Sequence, residues 1–282
     1  MIPIGIFRFS ARAYSLAFCL ALTMAPGASH AQNAPEPYKP VVGQPGKDVV
    51  WVPTAQTLVD RMLEMAQVTP ADVLVDLGSG DGRTVITATK RGVKASGIEY
   101  NPDMVALSRR NAEKDGVGNA AQFIQADIFE TDFSQATVVT MFLLPDLNVR
   151  LRPTLLAMKP GTRIVSNSFD MGDWQSDDYA EVAKDCQTYC RAFLWIVPAN
   201  VAGTWQLPQG QLALRQSYQM VTGTLTLNGA ATAITNGRVK GDKISFTAAG
   251  RSYSGTISAT TIAFAGDLPT GQPVGTATRA RR

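Results

Sequence analysis

One acid and a set of glycines stand at spacings that suit the binding of a nucleotide-like ligand. The apolar run of residues 73–75 predicts a buried strand that Asp76 closes. The glycines follow on alternate positions as Gly78, Gly80 and Gly82. Glycines let the backbone turn sharply and approach a ligand where a side chain would clash. The spacing is not the G-x-G-x-x-G of dinucleotide sites, and Asp81 stands where a diphosphate would need amides, so the turn favours a cationic cofactor.

Two further acids follow strands that the sequence predicts. Residues 94–98 form a second buried strand that ends in Glu99, from which a carboxylate accepts hydrogen bonds from ribose hydroxyls in such folds. Residues 121–125 form a third strand followed by Asp127, which can accept from an adenine amino group. Three strands that end in acids at one sheet edge predict a binding site. The alternative is that these acids are solvated loop residues.

The segments LGSGDGR, IEYNP and QADIFE carry a resemblance to the class I, seven-stranded S-adenosylmethionine-dependent methyltransferases over residues 51–198. The resemblance implies a Rossmann-like α/β fold that binds S-adenosylmethionine. The residues that it assigns to this cofactor are Asp76, Gly78, Gly80, Asp81, Gly82, Glu99 and Asp127. Within the superfamily, WVPT, Gln56 and NSFDMGDW are similar to membrane-anchored mitochondrial protein-lysine methyltransferases and their exported bacterial relatives. This second likeness implies a protein acceptor, with a lysine side chain as the methylated group.

The segment before the first predicted helix has two interpretations. Thr54 can cap a helix whose apolar residues recur at helical spacing, which would make this a packing helix. The resemblance instead implies that the segment folds over the cofactor, with Thr54 and Gln56 near it.

The candidate acceptor residues lie in SFDMGDW, which the strand order places at the cofactor edge of the sheet. Asp170 and Asp173, beside Trp174, are candidate catalytic residues because an acid there can hold or deprotonate an incoming ammonium. The alternative is a loop with a packing tryptophan. The fourth strand ends in LLPDLN and lacks the Asn/Asp-Pro-Pro-aromatic motif of nucleic-acid amino-methylases. This departure argues against adenine, cytosine and glutamine-amide acceptors.

The first 31 residues have the pattern of a secretory signal peptide. Arg8 and Arg12 precede an apolar run at residues 13–25, and small residues precede a cleavage point after Ala31. We expect export to the periplasm or the extracellular space, with an uncleaved membrane anchor as the alternative. Cleavage would leave 24 basic and 23 acidic residues, a balance that gives no support for a nucleic-acid partner.

Cleavage would also remove the single histidine, His30. A chain without histidine cannot form a Ser-His-Asp or Cys-His catalytic set, and two cysteines alone cannot form an ordinary zinc site. We therefore predict no metal site. Methyl transfer does not need a histidine, because it depends mainly on positioning and electrostatics.

The rest of the 282 residues divide by pattern. Residues 32–50 are rich in proline and glycine and predict a flexible linker. Residues 178–198 predict an antiparallel pair whose turn is flanked by Cys186 and Cys190, which we expect to form a disulfide in an oxidising compartment. Short alternating strands with PQG, Asn-Gly and GD turns predict a small antiparallel β-barrel or meander over residues 199–267. Residues 268–282 predict a disordered basic tail.

Three functions are compatible with these patterns. The leading one is an S-adenosylmethionine-dependent methyltransferase with a protein-lysine acceptor, which the barrel helps to choose or hold. The second is an exported protein that binds the cofactor or a nucleotide without turnover and uses the barrel to bind partners. The third, a dehydrogenase, is disfavoured by the glycine spacing.

Overall fold

The computed structural model describes residues 1, 8, 10, 38–266 and 274–280. The expected signal peptide and the first part of the expected linker lie almost entirely outside the described residues. Within the described part of the chain, no helix is long and apolar enough to cross a membrane.

The first sheet contains seven strands in the order β3-β2-β1-β4-β5-β7-β6. Its strands are β1 (Val73–Leu77), β2 (Lys94–Glu99), β3 (Gln122–Gln125), β4 (Val138–Met141), β5 (Arg163–Asn167), β6 (Asp178–Glu181) and β7 (Arg191–Ile196). The helices are α1 (Gln56–Met65), α2 (Arg83–Lys90), α3 (Pro102–Lys114) and α4 (Pro145–Leu156). Strands β1 to β5 run parallel, and β7 is antiparallel to β5 and β6. The predicted seven-stranded fold is confirmed.

The parallel order explains the composition of the central strands. All four residues of β4 are buried, and four of the five in β1 are. Helices cover both faces of such a sheet, so its strands have no polar face. Helix α1 contributes an apolar face that includes Leu58 and Leu63, which are fully buried with Leu74 and Val85 in one core cluster. This packing fixes the carboxyl ends of β1 to β5, and the amino end of β7, along one edge.

The segment before α1 departs from two sequence predictions. Ala55, not Thr54, occupies the N-cap, and no side chain among the described residues caps this helix. The Thr54 hydroxyl instead accepts a hydrogen bond from Asn167 at 3.1 Å. Residues 38–50 are not a flexible linker, because backbone hydrogen bonds join Trp51 to Gly43 and Gln44 at 2.8 and 2.9 Å. Proline and glycine here form a tight turn in which their backbone angles are satisfied.

The second sheet is a closed barrel, which confirms the prediction of a C-terminal β-barrel. Its strands are β8 (Gly203–Leu207), β9 (Gly210–Ser217), β10 (Met220–Leu227), β11 (Ala230–Ala233), β12 (Thr235–Lys240), β13 (Lys243–Ala248), β14 (Arg251–Ile257), β15 (Thr261–Ala265) and β16 (Thr276–Arg279). Pairing of β9 with β10 closes a ring of eight strands, and β11 pairs with β10 outside that ring.

Two details of the barrel differ from the sequence prediction. Asn236 and Gly237 do not form a turn but lie inside β12, where Asn236 has a φ of +53° and the register shifts. The expected disordered tail contains β16, whose Ala277 is fully buried. Without this strand the barrel would expose two unpaired edges, since β16 pairs with both β15 and β8.

The barrel and the first sheet have separate apolar clusters but share a contact around Trp174. The indole of Trp174 is fully buried and donates to Gln219 at 3.0 Å, while Tyr218 stacks on it. Gln219 also donates to the backbone of Gln175 at 2.7 Å, and Arg238 pairs with Asp177 at 2.6 Å. Trp174 is therefore a packing residue between the two sheets. The proposed domain boundary at residue 198 stays a prediction.

The turn before β7 carries the predicted disulfide. Cys186 and Cys190 are bonded to each other, which confirms the pairing. Strands β6 and β7 form the predicted antiparallel pair on either side of this turn.

We predict that Gln219→Ala lowers stability by about 1–3 kcal/mol, because it leaves the buried Trp174 N–H without an acceptor. The melting temperature measured by differential scanning calorimetry tests this. Met220→Ala is the matched control, because Met220 is the next residue and is 48% exposed. Equal melting temperatures for Gln219→Ala and the parent would contradict the proposed contact.

Candidate active site

The glycine turn after β1 brings the backbone to the wall of a cavity. Gly78 and Gly80 have φ values of +74° and +54°, in the left-handed region that favours glycine. A Cβ on Gly80 would lie 2.8 Å from Nε1 of Trp51, so the close approach also needs glycine. Gly82 differs, because it does not line the described cavity and a Cβ there would lie 2.8 Å from the Phe123 ring. Its role is the packing of α2 onto the sheet.

Glu99 lines the cavity at the end of β2, as the sequence predicts. One carboxylate oxygen accepts from the Gly80 amide and the other from the Asn101 amide, both at 2.9 Å. Each oxygen retains a second lone pair, so both can still accept from a ligand. The two amides orient the carboxylate before any ligand arrives.

Asp127 also lines the cavity, but its carboxylate is already paired. One oxygen accepts from the Phe129 amide at 2.9 Å, and the other forms an ion pair with Lys47. The hydrogen bond from Lys47, followed by that from the Phe129 amide, lowers the pKa of Asp127. No sequence pattern indicated Lys47, because it lies in the segment predicted as a linker.

Asp76 lies inside β1, which continues to Leu77, and does not line the described cavity. Its carboxylate is 7% exposed and accepts from the Thr140 hydroxyl at 2.6 Å. Burial raises the pKa of Asp76 to about 7, and the nearby acids Asp81 and Glu99 add to this shift. A cation bound near these acids would favour the ionised form of Asp76.

Residues 44–54 form a further wall of the cavity. Arg83 holds this segment in place by donating to the Thr54 carbonyl at 2.6 Å while it pairs with Asp81 at 2.5 Å. Thr54 and Asp81 line the cavity, as predicted. Gln56 does not, since its exposed side chain donates to Thr87 on α2 at 3.1 Å.

These walls enclose a cavity of about 500 Å³, within the range of roughly 300–1,000 Å³ that is usual for small-molecule sites. Ser79, in the glycine turn, lines it with a buried hydroxyl that has no hydrogen-bond partner among the described residues. A buried polar group without a partner suits a ligand that supplies one. Acids, close backbone and a free hydroxyl fit a cationic nucleoside such as S-adenosylmethionine.

The opposite wall is aromatic and was missed by the sequence interpretation. Phe142, Phe169 and Tyr189 line it, and their ring centroids lie 5.3–6.0 Å apart. Phe142 follows β4, Phe169 follows β5, and Tyr189 precedes β7. An aromatic residue next to each of three strand ends was the available signal.

The two candidate catalytic acids lie outside the described cavity lining. Asp173 is exposed, pairs with Arg152 and accepts from the Tyr218 hydroxyl at 3.0 Å. Asp170 is exposed, and its carboxylate accepts from the Gly172 amide at 3.1 Å. These hydrogen bonds hold the two carboxylates within the loop and its contact with the barrel, so the geometry does not assign them to the acceptor.

Comparisons with known proteins agree with the geometry. Residues 76–178 match the family described as the ANTKMT methyltransferase domain. The chain is 44% identical, over 85% of the relative's length, to a protein-lysine N-methyltransferase of Saccharolobus islandicus. It is 35% identical to the ATP synthase lysine N-methyltransferase of Rattus norvegicus, of which it spans 59%. These matches cover 48% and 45% of this chain, respectively.

A solved structure extends the comparison to the cofactor. The crystal structure of an RNA methyltransferase from Salinibacter ruber with S-adenosyl-L-homocysteine is 47% identical in sequence, with a TM-score of 0.50. The match covers 53% of this chain and 96% of that one. S-Adenosylmethionine is thus the cofactor, and the cavity with its glycine turn and acidic strand ends is that of a methyl-transferring enzyme. The chain belongs to the class I S-adenosylmethionine-dependent methyltransferases.

Proposed function

We propose that this methyltransferase acts on the side-chain amine of protein lysine residues. The observation that carries the proposal is the 44% identity to a protein-lysine N-methyltransferase over 85% of that relative. The rat relative, described as a lysine N-methyltransferase, supports the same acceptor. A binding protein without turnover is not favoured, because the glycine turn and both cavity acids are kept together.

We assign the cofactor contacts to residues of the acidic wall. Glu99 holds the ribose hydroxyls and Asp127 accepts from the adenine amino group, in exchange for or beside Lys47. The turn at Gly78 and Gly80 takes the amino-acid part, with the Ser79 hydroxyl as a donor. Bound S-adenosylmethionine supplies an electrophilic methyl group on a sulfonium.

The chain's own residues contribute positioning more than acid–base chemistry. The acceptor amine must be neutral to attack, and its proton can pass to solvent because the cavity opens to the surface through exposed Leu144 and Tyr189. Residues 44–54 cover the cofactor side and limit access of water. Holding two reactants in line accounts for much of the rate enhancement in such reactions.

An RNA acceptor is the second candidate, because the Salinibacter ruber protein is described as an RNA methyltransferase. The residues after β4, Phe142 to Pro145, do not provide the polar motif that holds a planar base amine. The near balance of basic and acidic residues also gives no field for a phosphate backbone.

Radiolabelling separates these acceptors. The protein is incubated with S-adenosyl-L-[methyl-³H]methionine and unfractionated host-cell extract, either untreated or with its lysines acetylated. We expect label in protein, recovery of methyllysine after acid hydrolysis, and loss of the signal on acetylation. Label that survives acetylation, or that ribonuclease removes, would contradict a lysine acceptor.

We also propose that the protein is exported, as the first 31 residues suggest. The Cys186–Cys190 disulfide supports this, because disulfides persist mainly in oxidising compartments. We predict that N-terminal sequencing of the protein from its native host begins at Gln32. Recovery of an intact Met1 on a membrane-bound species would instead support an anchor.

We predict that Glu99→Ala weakens binding of S-adenosyl-L-homocysteine by about 10- to 100-fold, since hydrogen bonds to a charged group contribute roughly 1.5–3 kcal/mol. Asp127→Ala removes one adenine contact and is expected to have a smaller effect. Isothermal titration calorimetry measures both.

The matched control is Glu130→Ala, which removes an exposed carboxylate outside the cavity lining. Glu99→Gln controls for the structural role of Glu99, because its amide oxygen can still accept from one backbone amide. Each variant must keep its melting temperature without ligand. A folded Glu99→Ala protein that binds as tightly as the parent would refute the ribose assignment.

We predict a pH dependence that arises from Asp76. Its pKa is about 7 in the folded protein, against an ordinary value of 3.8, so the fold favours the protonated form. The ligand-free protein therefore loses stability from this group as the pH rises from about 4 through 7. Melting temperatures between pH 5 and pH 8 are expected to fall less in Asp76→Asn than in the parent. Parallel curves for the two proteins would contradict the raised pKa.

A further inference from the structure

The cavity has a second half to which the assigned cofactor residues do not contribute. The cofactor residues follow β1, β2 and β3, whereas the three aromatic residues stand at the ends of β4, β5 and β7. Tyr189 is 45% exposed, and Phe142 and Phe169 are partly buried. The aromatic rings therefore extend from the cavity interior to the protein surface, where a second substrate can enter.

The charges of the cavity lining favour a cation on the aromatic side. Among the described lining residues, the cations are Lys47 and Arg83, and each is paired with an acid, Asp127 or Asp81, on the cofactor side. No lining cation in the described residues thus stands at the aromatic wall to repel a positive group. The faces of aromatic rings attract ammonium groups within about 6 Å of the ring centroid.

Polar groups next to Phe169 are also compatible with an ammonium. The carboxamide oxygen of Asn167 and the hydroxyl of Ser168 are buried and have no hydrogen-bond partner among the described residues. Asn167 is fully buried and its amide nitrogen donates to Thr54, which lines the cavity. Such oxygens can accept hydrogen bonds from an N–H donor.

The position of Tyr189 is set by its loop. The Cys186–Cys190 disulfide closes that loop, and Tyr189 has a φ of +57°, which is unusual for a residue with a side chain. Its ring contacts Phe142 edge-on at 5.3 Å and Phe169 at 5.9 Å. The loop thus adds an aromatic ring to a wall that β4 and β5 begin.

We propose that Phe142, Phe169 and Tyr189 form the acceptor-binding wall and hold the ammonium end of a lysine or methyllysine side chain by cation–π contact. This inference rests on the proposed lysine acceptor. It replaces Asp170 and Asp173 with aromatic residues as the groups that select the acceptor.

The test uses binding of a product-like probe, which does not require turnover. The full-length protein is saturated with S-adenosyl-L-homocysteine and titrated with Nα-acetyl-Nε-trimethyllysine methylamide, followed by NMR. The comparison probe replaces the trimethylammonium with an uncharged tert-butyl group of the same shape. We expect the cationic probe to bind more tightly than the neutral one.

Variants locate the probe. Tyr189→Ala and Phe169→Ala are expected to weaken binding of the cationic probe by about 3- to 30-fold, and Tyr189→Phe to preserve it. Tyr179→Ala is a matched control, because Tyr179 is 46% exposed and its ring lies 5.3 Å from that of Phe193, outside the cavity lining. Affinity for S-adenosyl-L-homocysteine should stay unchanged in all four variants.

Equal binding of the charged and neutral probes, unchanged affinity in Tyr189→Ala and Phe169→Ala, or no binding to the parent would overturn the inference. The radiolabelling experiment separates this failure from that of the proposed function. Methyllysine formed by a protein that ignores the probe leaves the lysine acceptor intact and rejects the aromatic wall. Probe binding without any methyllysine would support the wall as a cation site and reject the lysine acceptor.

Discussion

The hydrogen bond from the Gly80 amide to the Glu99 carboxylate joins the ends of two central strands where the cavity begins. It requires the glycine turn to fold back toward β2, which the positive φ of Gly80 permits. The same turn leaves room for Trp51, whose indole would clash with any side chain at Gly80. Strand ends, turn and covering segment are therefore mutually dependent, and a larger residue at Gly80 would disturb all three.

Features encoded by neighbouring residues were predictable from the sequence. The glycine turn, Glu99 and Asp127 depend on spacing within single strand–turn units, and the Asn228–Gly229 hairpin on turn chemistry. Residues 38–50 and the segment with β16 were misjudged because composition suggested disorder. In both, pairing with distant segments supplies the order, and composition does not report it.

The acceptor side was the least predictable part of the site. Asp170 and Asp173 do follow β5 at the expected edge, but the direction of their side chains depends on Arg152, Tyr218 and the local turn. The aromatic wall joins three strand ends that are distant in sequence, and it appears only when β5, β7 and their loops are assembled. A lining made from several elements depends on the order of strands in the sheet, which local patterns do not fix.

One cavity is thus divided between an acidic cofactor half and an aromatic acceptor half. A crystal structure of the complex with S-adenosyl-L-homocysteine tests this division most directly. We predict ribose hydroxyls within hydrogen-bond distance of Glu99, and the sulfur facing the rings of Phe142, Phe169 and Tyr189. A nucleoside lying against those rings, with its sulfur turned toward β3, would contradict the division.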